Sequence, residues 1–550
     1  MLKPVELGER NRIVLPDGRS VEATALWNLF EACRAGDLVA IEQLVSQVPG
    51  LVRAEYNYTQ PLHFAVREGH AAVVQYLLEK GADPTYRTYG YRDTLRTMAS
   101  ERGHTAIAEM IEATLRARFP IDDRVGHLLS AAGAGCLPSV QEQVEECKVP
   151  VSASDEVGQT ALHAACAAGH VDVVSYLLDE GADVHACRSD GFKPLHSALF
   201  SNGQGWVRTD PEPVGSLRAG RIAGLLLERG AEYNIFTAAV FGDDRAVMRW
   251  LEKDSAHANF VDTHARRPLS AAAWRGDVDM VRLLLAHGAD PTLPESDSPR
   301  GHALWIASFR GDVDMARLLL AHGADPEATA DSGGRALDHA RGRLPLYELL
   351  VEYGADPCSD PLSRLHDALN DGDREGVRAL LSQYPDLVND PSLCWGEGSM
   401  AVAASERDWE MIDVLLGFGA RVPTLTKWGK SYYLKHLDLA RYLLDRDMDP
   451  NQTNWHGTSL LHDVASEGRM EAVQLLVEYG ADVHAVDEEY CSTPLGLAAR
   501  AGRVEIVEWL LGCGADPALA AAPWATPVAW ATRCGHDAVL AALSKGKGGS

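Results

Sequence analysis

The sequence predicts an all-α solenoid of about 16 helix–turn–helix units joined by short β-hairpins. Two observations predict this fold. The run GDVDMVRLLLAHGADP from Gly276 returns as GDVDMARLLLAHGADP from Gly311, after 35 residues. The GAD triplet at 480–482 returns at 514–516, after 34 residues. A unit of this length cannot bury its own apolar face, so it must stack on copies of itself.

The unit is clearest in TALHAACAAGHVDVVSYLLDEGADV, residues 160–184. The Thr160 hydroxyl can accept a free backbone N–H in the first turn of a helix. Apolar residues then follow at helical spacing up to Gly169, which can end the helix in the left-handed conformation. A second apolar helix ends at Gly181, and Ala-Asp leads into a turn. The pattern therefore predicts two antiparallel helices followed by a hairpin.

Similar motifs recur along the chain at comparable positions. They read QPLHFAVREGH from Gln60, KPLHSA from Lys193, RPLSAAAWRGD from Arg267, SLLHDVASEGR from Ser459, TPLGLAARAGR from Thr493 and TPVAWATRCGH from Thr526. From about residue 24 to about 544, the chain resembles the ankyrin repeat family. This resemblance implies an ankyrin solenoid in which first helices and hairpins line a concave groove and second helices form the back. It implies a fold much more strongly than a function.

The repeats divide into three blocks between short ends. Residues 1–23 form an N-terminal extension, in which IVLPDGRSV predicts a β-hairpin. Block 1 covers 24–232 and carries a Gly/Pro-rich loop insertion at 201–217. Block 2 covers 233–360 and block 3 covers 361–544, with a shortened first helix predicted in 430–449. Residues 545–550, KGKGGS, are expected to form a flexible tail.

Composition restricts the classes of partner. The 550 residues carry a formal net charge of −27, which disfavours nucleic acid and anionic membranes as partners. The ten cysteines form no CxxC pair, and the N-terminus lacks the apolar core of a signal peptide. We therefore expect a cytoplasmic protein with reduced thiols and no membrane segment, and its composition is typical of bacteria. The sequence leaves open whether it is monomeric.

Histidine positions disfavour a metal site or another cofactor. His63, His163, His196 and His462 fill one slot of the repeat, where the resemblance implies hydrogen bonds between neighbouring turns. Other histidines follow the glycine of the first helix or flank the GAD turns. No compact Cys/His spacing, phosphate loop or G-x-S-x-G motif is present. No catalytic residue, metal or cofactor is therefore predicted, although carboxylates that converge from different repeats stay open.

Aromatic residues near the hairpins are the candidate binding residues. They form an N-terminal cluster with a neighbouring arginine and a C-terminal series: Tyr56, Tyr58, Tyr86, Tyr89, Tyr91 and Arg92, then Trp395, Trp428, Tyr432, Trp455, His456 and Tyr490. Equivalent positions in successive repeats would form a row, and aromatic residues and arginine often anchor interfaces. The alternative is that these side chains fill imperfect contacts between repeats, with Trp428 and Trp455 closing the gap at 430–449.

We therefore predict a non-enzymatic recognition scaffold that binds a protein or peptide in the concave groove. The N-terminal cluster would supply a second site or the other side of the same groove. The alternative is an enzyme that uses the groove between blocks as an active site for a small molecule or peptide. A deep polar pocket would favour the enzyme, and a shallow aromatic groove would favour the scaffold. The sequence does not identify the partner.

Overall fold

The computed structural model shows a two-layered stack of paired helices, as expected for an ankyrin solenoid. It describes residues 3–4, 7–8, 12–15, 20–88, 93–199, 217–263, 265–295, 301–330, 334–340, 343–357, 361–390, 393, 398–422, 425–426 and 432–546. The predicted insertion at 201–217 therefore lies outside the described residues except for its last residue.

The helices are short and follow one another in pairs. The first twelve are α1 Ala23–Ala35, α2 Leu38–Gln47, α3 Pro61–Glu68, α4 Ala71–Glu79, α5 Leu95–Glu101, α6 Thr105–Arg118, α7 Val125–Ala134, α8 Leu137–Gln141, α9 Ala161–Ala168, α10 Val171–Asp179, α11 Pro194–Leu199 and α12 Leu217–Glu228. The next ten are α13 Ile235–Phe241, α14 Asp244–Lys253, α15 Pro268–Arg275, α16 Val278–Ala286, α17 Ala303–Arg310, α18 Val313–Ala321, α19 Ala336–His339, α20 Leu344–Glu352, α21 Pro361–Asn370 and α22 Arg374–Gln383.

The remaining helices are α23 Ser399–Ser405, α24 Trp409–Gly417, α25 Leu437–Leu444, α26 Leu460–Glu467, α27 Met470–Glu478, α28 Pro494–Arg500, α29 Val504–Gly512, α30 Pro527–Cys534 and α31 Asp537–Gly546. In the described residues they form sixteen units, and in the unit of α25 a single 3-10 turn, Tyr432–Leu434, replaces the first helix. In most neighbouring units, first helices pack on first helices, and second helices pack on second helices.

Strands are few and short in the described part of the chain. They are β1 Arg12–Val14, β2 Ser20–Glu22, β3 Thr329–Ala330, β4 Gly334–Arg335, β5 Leu425–Thr426 and β6 Thr453–Asn454. β1 and β2 pair antiparallel with Ile13 opposite Val21, which confirms the predicted N-terminal hairpin. β3 pairs antiparallel with β4, and β5 pairs parallel with β6.

The repeat histidine joins neighbouring units through its two ring nitrogens. The backbone N–H of Thr160 donates to Nδ1 of His163 over 3.2 Å, and Nε2 of His163 donates to the carbonyl of Phe192 over 3.2 Å. His462 repeats this arrangement, with 3.3 Å from the N–H of Ser459 and 3.1 Å to the carbonyl of Ser492. Each ring therefore caps its own helix and fixes the next hairpin.

The residue after the helix-ending glycine also connects units. His170 stacks over Gly135 of the preceding unit, where a Cβ would lie 2.5 Å from the ring, and its Nε2 donates to the carbonyl of Gly133 over 3.1 Å. In the central units an arginine just before the helix-ending glycine has this role instead: Arg310 lies over Gly276 of the preceding unit and donates to the carbonyl of Trp274 over 3.0 Å. Glycine at these positions provides both the left-handed turn and the space for the ring or guanidinium.

The buried core forms one large cluster from Val125 to Ala355 and another from Leu365 to Leu543. A third cluster runs from Leu7 to Phe119 and includes one distant residue, Trp455. The predicted block boundaries near 232 and 360 stay predictions. Among the described residues, no helix combines the length and apolarity needed to span a bilayer.

Candidate functional site: the junction between the two ends of the solenoid

The first and last repeats of the chain contact each other. Hairpin residues that precede α26, α28 and α30 lie against the first helices α1, α3 and α5 of the N-terminal repeats. Hydrogen bonds link residues about 400 positions apart, such as His63 with Glu489 and Asp93 with Arg500. We call this contact the junction, and its main residues are Arg34, Tyr56, His63, Phe64, Arg67, Asp93, Glu101 and Arg102 on one side, with Trp455, His456, Glu488, Glu489, Tyr490, Arg500, Trp524 and Arg533 on the other.

Trp455 is the apolar centre of the junction. It is 1% exposed and belongs to the buried cluster of the N-terminal repeats. Its ring centroid lies 6.0 Å from those of Phe30 and Phe64, and 5.2 Å from that of Tyr56 in an edge-on arrangement. Edge-on aromatic pairs at this distance are favourable beyond the area they bury. A residue of the fourteenth unit therefore completes the core of the first two.

Glu489 is the electrostatic centre of the junction. Its Oε2 lies 3.1 Å from Nε2 of His63, 3.3 Å from Nη1 of Arg67 and 3.4 Å from Nδ1 of His456. Burial would raise the pKa of Glu489, but His63 and His456 hold it well below its ordinary value. Burial also lowers the pKa of His456. The Glu489 carboxylate is therefore ionised inside the junction.

A second ionic contact lies beside the first. Both oxygens of Asp93 accept hydrogen bonds from Nη2 of Arg500 over 2.7 Å, and one accepts a bond from the Tyr490 hydroxyl over 2.9 Å. Burial opposes the charge of Arg500, but Tyr490, Asp93 and Glu101 together raise its pKa. A pair that is mostly removed from water interacts more strongly than a surface pair.

Further contacts extend the junction on both sides. Arg34 bonds Glu488 over 3.2 Å, and Arg102 donates to the backbone carbonyl of Glu489. The Arg102 guanidinium also lies 4.8 Å from the centroid of the Trp524 ring, within the range of a cation–π contact. The junction therefore combines apolar, ionic and backbone contacts from three successive hairpins.

The structure describes seven of the twelve predicted binding residues. Tyr56, Tyr86, Trp455 and Tyr490 are buried, His456 is half-buried, and Tyr58 is 45% exposed. Tyr432 lies in the 3-10 turn before α25, and its side chain is outside the described part. Tyr89, Tyr91, Arg92, Trp395 and Trp428 lie outside the described residues.

The structure brings the two predicted clusters together at the junction. As anchors of an open groove, Trp455 and Tyr490 would face solvent in the free protein, but residues of the N-terminal repeats cover them. The expected alternative, in which Trp455 fills a gap in its own block, differs from its observed packing on Phe30 and Phe64. That these residues bind a partner stays a prediction.

The charged half of the junction was not predicted from the sequence. His63 was assigned to the repeat slot, and Glu489 and Arg500 were not singled out. Two local signals were available: Gln60 replaces the usual capping Thr or Ser before α3, and DEEY (487–490) places three acids in a hairpin. Neither signal could reveal the partner, because the partner lies at the opposite end of the chain.

A second aromatic surface lies on the first helices of the central units. Trp305 and Phe309 of α17 stack at 5.4 Å between ring centroids, and Phe309 stacks on Trp274 of α15 at 6.3 Å. His339 of α19 contacts Trp305 edge-on at 5.0 Å. These four side chains are half-buried. We call them the central aromatic row, which lies on helices and so falls outside the aromatic residues near hairpins that were predicted to bind.

Comparison with known proteins identifies the family. The model described as "Ankyrin repeats (3 copies)" matches residues 21–88, 128–209, 429–521 and 461–548, and the model described as "Ankyrin repeat" matches 266–295 and 302–331. Together these matches cover more than half of the chain. The chain therefore belongs to the ankyrin repeat family, as its repeat motifs indicated.

The curated relatives include longer proteins, of which this chain matches only a portion. The human transient receptor potential cation channel subfamily A member 1 is 23% identical over 518 residues, covering 89% of this chain and 36% of the channel. Palmitoyltransferase AKR1 of Lachancea kluyveri is 33% identical over 141 residues, covering 25% of this chain and 19% of that enzyme. The matched part of this chain thus spans 36% of the channel and 19% of the palmitoyltransferase.

Solved structures that resemble the chain are also partial matches. The human ASB11 ankyrin repeat domain matches with a TM-score of 0.28 and 24% identity, covering 42% of this chain and 98% of that chain. A second match is a chain in the structure of the Bd0816 predatory endopeptidase from Bdellovibrio bacteriovorus in complex with immunity protein Bd3460. It matches with a TM-score of 0.26 and 24% identity, covering 35% of this chain and 96% of that chain.

Proposed function

We propose that this chain is a protein-recognition scaffold that binds a protein or peptide on the concave side of its central repeats. Ankyrin repeats in general mediate protein interactions, which supports the class of function. The observation that carries the location is the central aromatic row, Trp274, Trp305, Phe309 and His339, which is stacked and half-exposed on consecutive first helices. Large aromatic side chains that are already ordered lose little conformational entropy on binding.

The row is suited to apolar or cationic side chains of a partner. Its flat indole and phenyl faces can stack against aliphatic, aromatic or guanidinium groups. The net charge of −27 favours basic partners over acidic ones through long-range attraction. The row crosses three units, so a partner segment running along the solenoid would contact several rings at once.

The predicted hairpin residues supply a second proposed surface. Tyr56, Trp455 and Tyr490 are buried in the junction, and Tyr86 is buried beside His63. A partner would reach the three junction residues only by separating the two ends. Such a partner would compete with the intramolecular contacts of Glu489 and Asp93, and its affinity would be reduced by the cost of opening the junction.

The test is capture of a partner on the full chain, followed by a titration with the purified partner. We expect the double variant Trp274→Ala with Trp305→Ala to bind at least about 30-fold more weakly, corresponding to a loss of about 2 kcal/mol. Trp250→Ala is the matched control, because Trp250 is also half-buried but lies on the second helix α14.

Two results would overturn the proposal. One is unchanged affinity in the double variant while its circular dichroism and melting match the wild type. The other is equal loss of affinity in the Trp250→Ala control, which would indicate a general effect on the fold. Loss confined to Trp455→Ala or Tyr490→Ala would move the site to the hairpin residues.

A further inference from the structure

Three side chains of the types that bind metal ions lie together inside the junction. One ring nitrogen each of His63 and His456 and a carboxylate oxygen of Glu489 lie within 4.8 Å of one another. His63 comes from α3 in the second unit, and the other two come from hairpins near the C-terminal end. The Glu489 side chain is 10% exposed, that of His456 is 13% exposed and that of His63 is 2% exposed.

His63 departs from the other histidines of its repeat slot. In His163 and His462, Nδ1 accepts a backbone N–H and Nε2 donates to the next hairpin. In His63, Nδ1 is buried without a hydrogen-bond partner among the described residues, and Nε2 points at Glu489 instead. The ring has therefore given up its capping role and faces a carboxylate from the other end of the chain.

Glu489 and His456 also have unsatisfied polar atoms. Oε1 of Glu489 is buried and has no hydrogen-bond partner in the described part of the chain. Nδ1 of His456 is buried 3.4 Å from Oε2 but makes no hydrogen bond with it. Buried polar atoms are nearly always paired, so these unpaired atoms require an explanation. An ion held by the three side chains would pair Nδ1 of His456, and it would also pair Oε1 of Glu489 if the carboxylate binds through both oxygens.

We propose that His63, His456 and Glu489 bind a divalent transition-metal ion that ties the two ends of the solenoid together. Two imidazoles and one carboxylate suit zinc and related ions. Ligand bonds of about 2.1 Å in a tetrahedral site imply about 3.4 Å between ligand atoms. The two nitrogen–oxygen separations in the structure, 3.1 and 3.4 Å, are close to this value, so small side-chain movements would admit the ion.

Arg67 and the fourth coordination position set the character of this site. Arg67 contacts Oε2 of Glu489 over 3.3 Å, but it also bonds Oε1 of Glu68 over 2.7 and 2.9 Å. It therefore keeps an anionic partner when Glu489 turns towards an ion. Among the described residues, no fourth His, Cys, Asp or Glu joins the group, which leaves the remaining position to water.

An ion at this site would stabilise only the state of the chain in which the two ends are in contact. Its ligands belong to opposite ends, so the complete set exists only when the junction is formed. An ion that binds one state and not the other stabilises the bound state by mass action. This inference does not depend on the proposed recognition function, because metal binding is measured without a partner.

The test is zinc binding to the full chain, expressed without a histidine tag and stripped with chelator. We expect calorimetry and metal analysis to give one tightly bound Zn²⁺ per chain, and we expect zinc to raise the melting temperature. Glu489→Gln and His456→Asn should each weaken zinc binding at least tenfold. His322→Ala is the matched control, since it removes an exposed imidazole far from the junction in sequence.

Binding by surface histidines only, equal in wild type and in Glu489→Gln, would overturn the proposal. Unaltered zinc affinity in both ligand variants would also overturn it. If these variants do not fold, cobalt(II) on the wild type decides the question: visible bands of a four-coordinate protein site support it, and the spectrum of the aqueous ion overturns it.

Discussion

The central repeats and the junction are held together in different ways. In the central units, each helix packs on its sequence neighbours through apolar residues such as Leu284 and Leu319, both 0% exposed. In the junction, ionic and aromatic groups join units at opposite ends of the chain. Local stacking needs little loop closure, whereas the junction must bring together residues about 400 positions apart. The repeats of the central region therefore contact mainly their neighbours in sequence, whereas the repeats at the two ends also contact each other.

This difference has a consequence for cooperativity. A linear solenoid transmits stability mainly between adjacent units, so distant units can unfold separately. The junction couples the first units to the last, which makes the ends depend on each other. A substitution in the central repeats should therefore destabilise mainly the neighbouring units, whereas a substitution in the junction should destabilise both ends of the chain.

Trp455→Ala should have the largest effect. It removes a fully buried ring from the N-terminal core, so we expect the free energy of unfolding to fall by about 3–5 kcal/mol. Hydrogen exchange should accelerate in α1 and α3, although the substitution lies in the fourteenth unit. Trp509→Ala, on the half-buried face of α29, is the matched control and should leave α1 and α3 protected. Unchanged exchange in α1 and α3 in Trp455→Ala would mean that the ends are not coupled in solution.

Leu284→Ala should destabilise the centre of the solenoid. Loss of a buried leucine leaves a cavity, and we expect a cost of about 2–5 kcal/mol in urea unfolding. The effect should fall mainly on the units of α15 to α18 and spare the junction. Leu283→Ala is the control on the same helix, because Leu283 is only half-buried. A cost below about 0.5 kcal/mol for Leu284→Ala would contradict its burial.

Asp93→Asn tests the ionic part of the junction. The substitution keeps the shape of the side chain but removes the carboxylate charge that Arg500 bonds, so we expect a loss of about 1.5–3 kcal/mol. The exposed pair of Arg407 with Asp438 provides the control, and Asp438→Asn should change stability little. Equal small effects of both substitutions would show that the pair of Asp93 with Arg500 stabilises the protein no more than a surface ion pair does.

Glu295 should give the smallest effect, as a dependence of stability on pH. Burial raises its pKa from 4.5 to about 7, against the opposing effects of Ser270, Arg266 and Arg267. The folded state therefore holds this proton between about pH 4.5 and 7 while the unfolded state releases it, so the stability is greatest below this window and falls as pH rises through it. We expect a decrease of about 1–2 kcal/mol, since the side chain is partly open to water.

Thermal melting across this pH range measures the contribution of Glu295. Glu295→Gln should flatten the curve relative to the wild type, because glutamine does not titrate. Glu348→Gln, on the second helix α20, serves as the control for removing a negative charge. Parallel curves for wild type and Glu295→Gln would remove the assigned role.

The repeat units could be predicted because their signals are local. The cap at Thr160, the apolar spacing and the glycine at Gly169 are all contained within one unit, and the structure contains a helix pair there. The repeat histidines could be assigned for the same reason, because the partner of His163 lies in the next hairpin. The aromatic hairpin residues could be singled out by their chemistry, but their surroundings could not.

The sequence by itself determined the family, the all-α class and the number of stacked units, because each unit repeats its own caps, turns and apolar face. Only the tertiary structure decided that the ends of the solenoid meet. That contact depends on the summed curvature of many small rotations between units, and no local pattern records that sum. For this reason His63 looks like any other repeat histidine in the sequence, and only the folded chain places it beside Glu489.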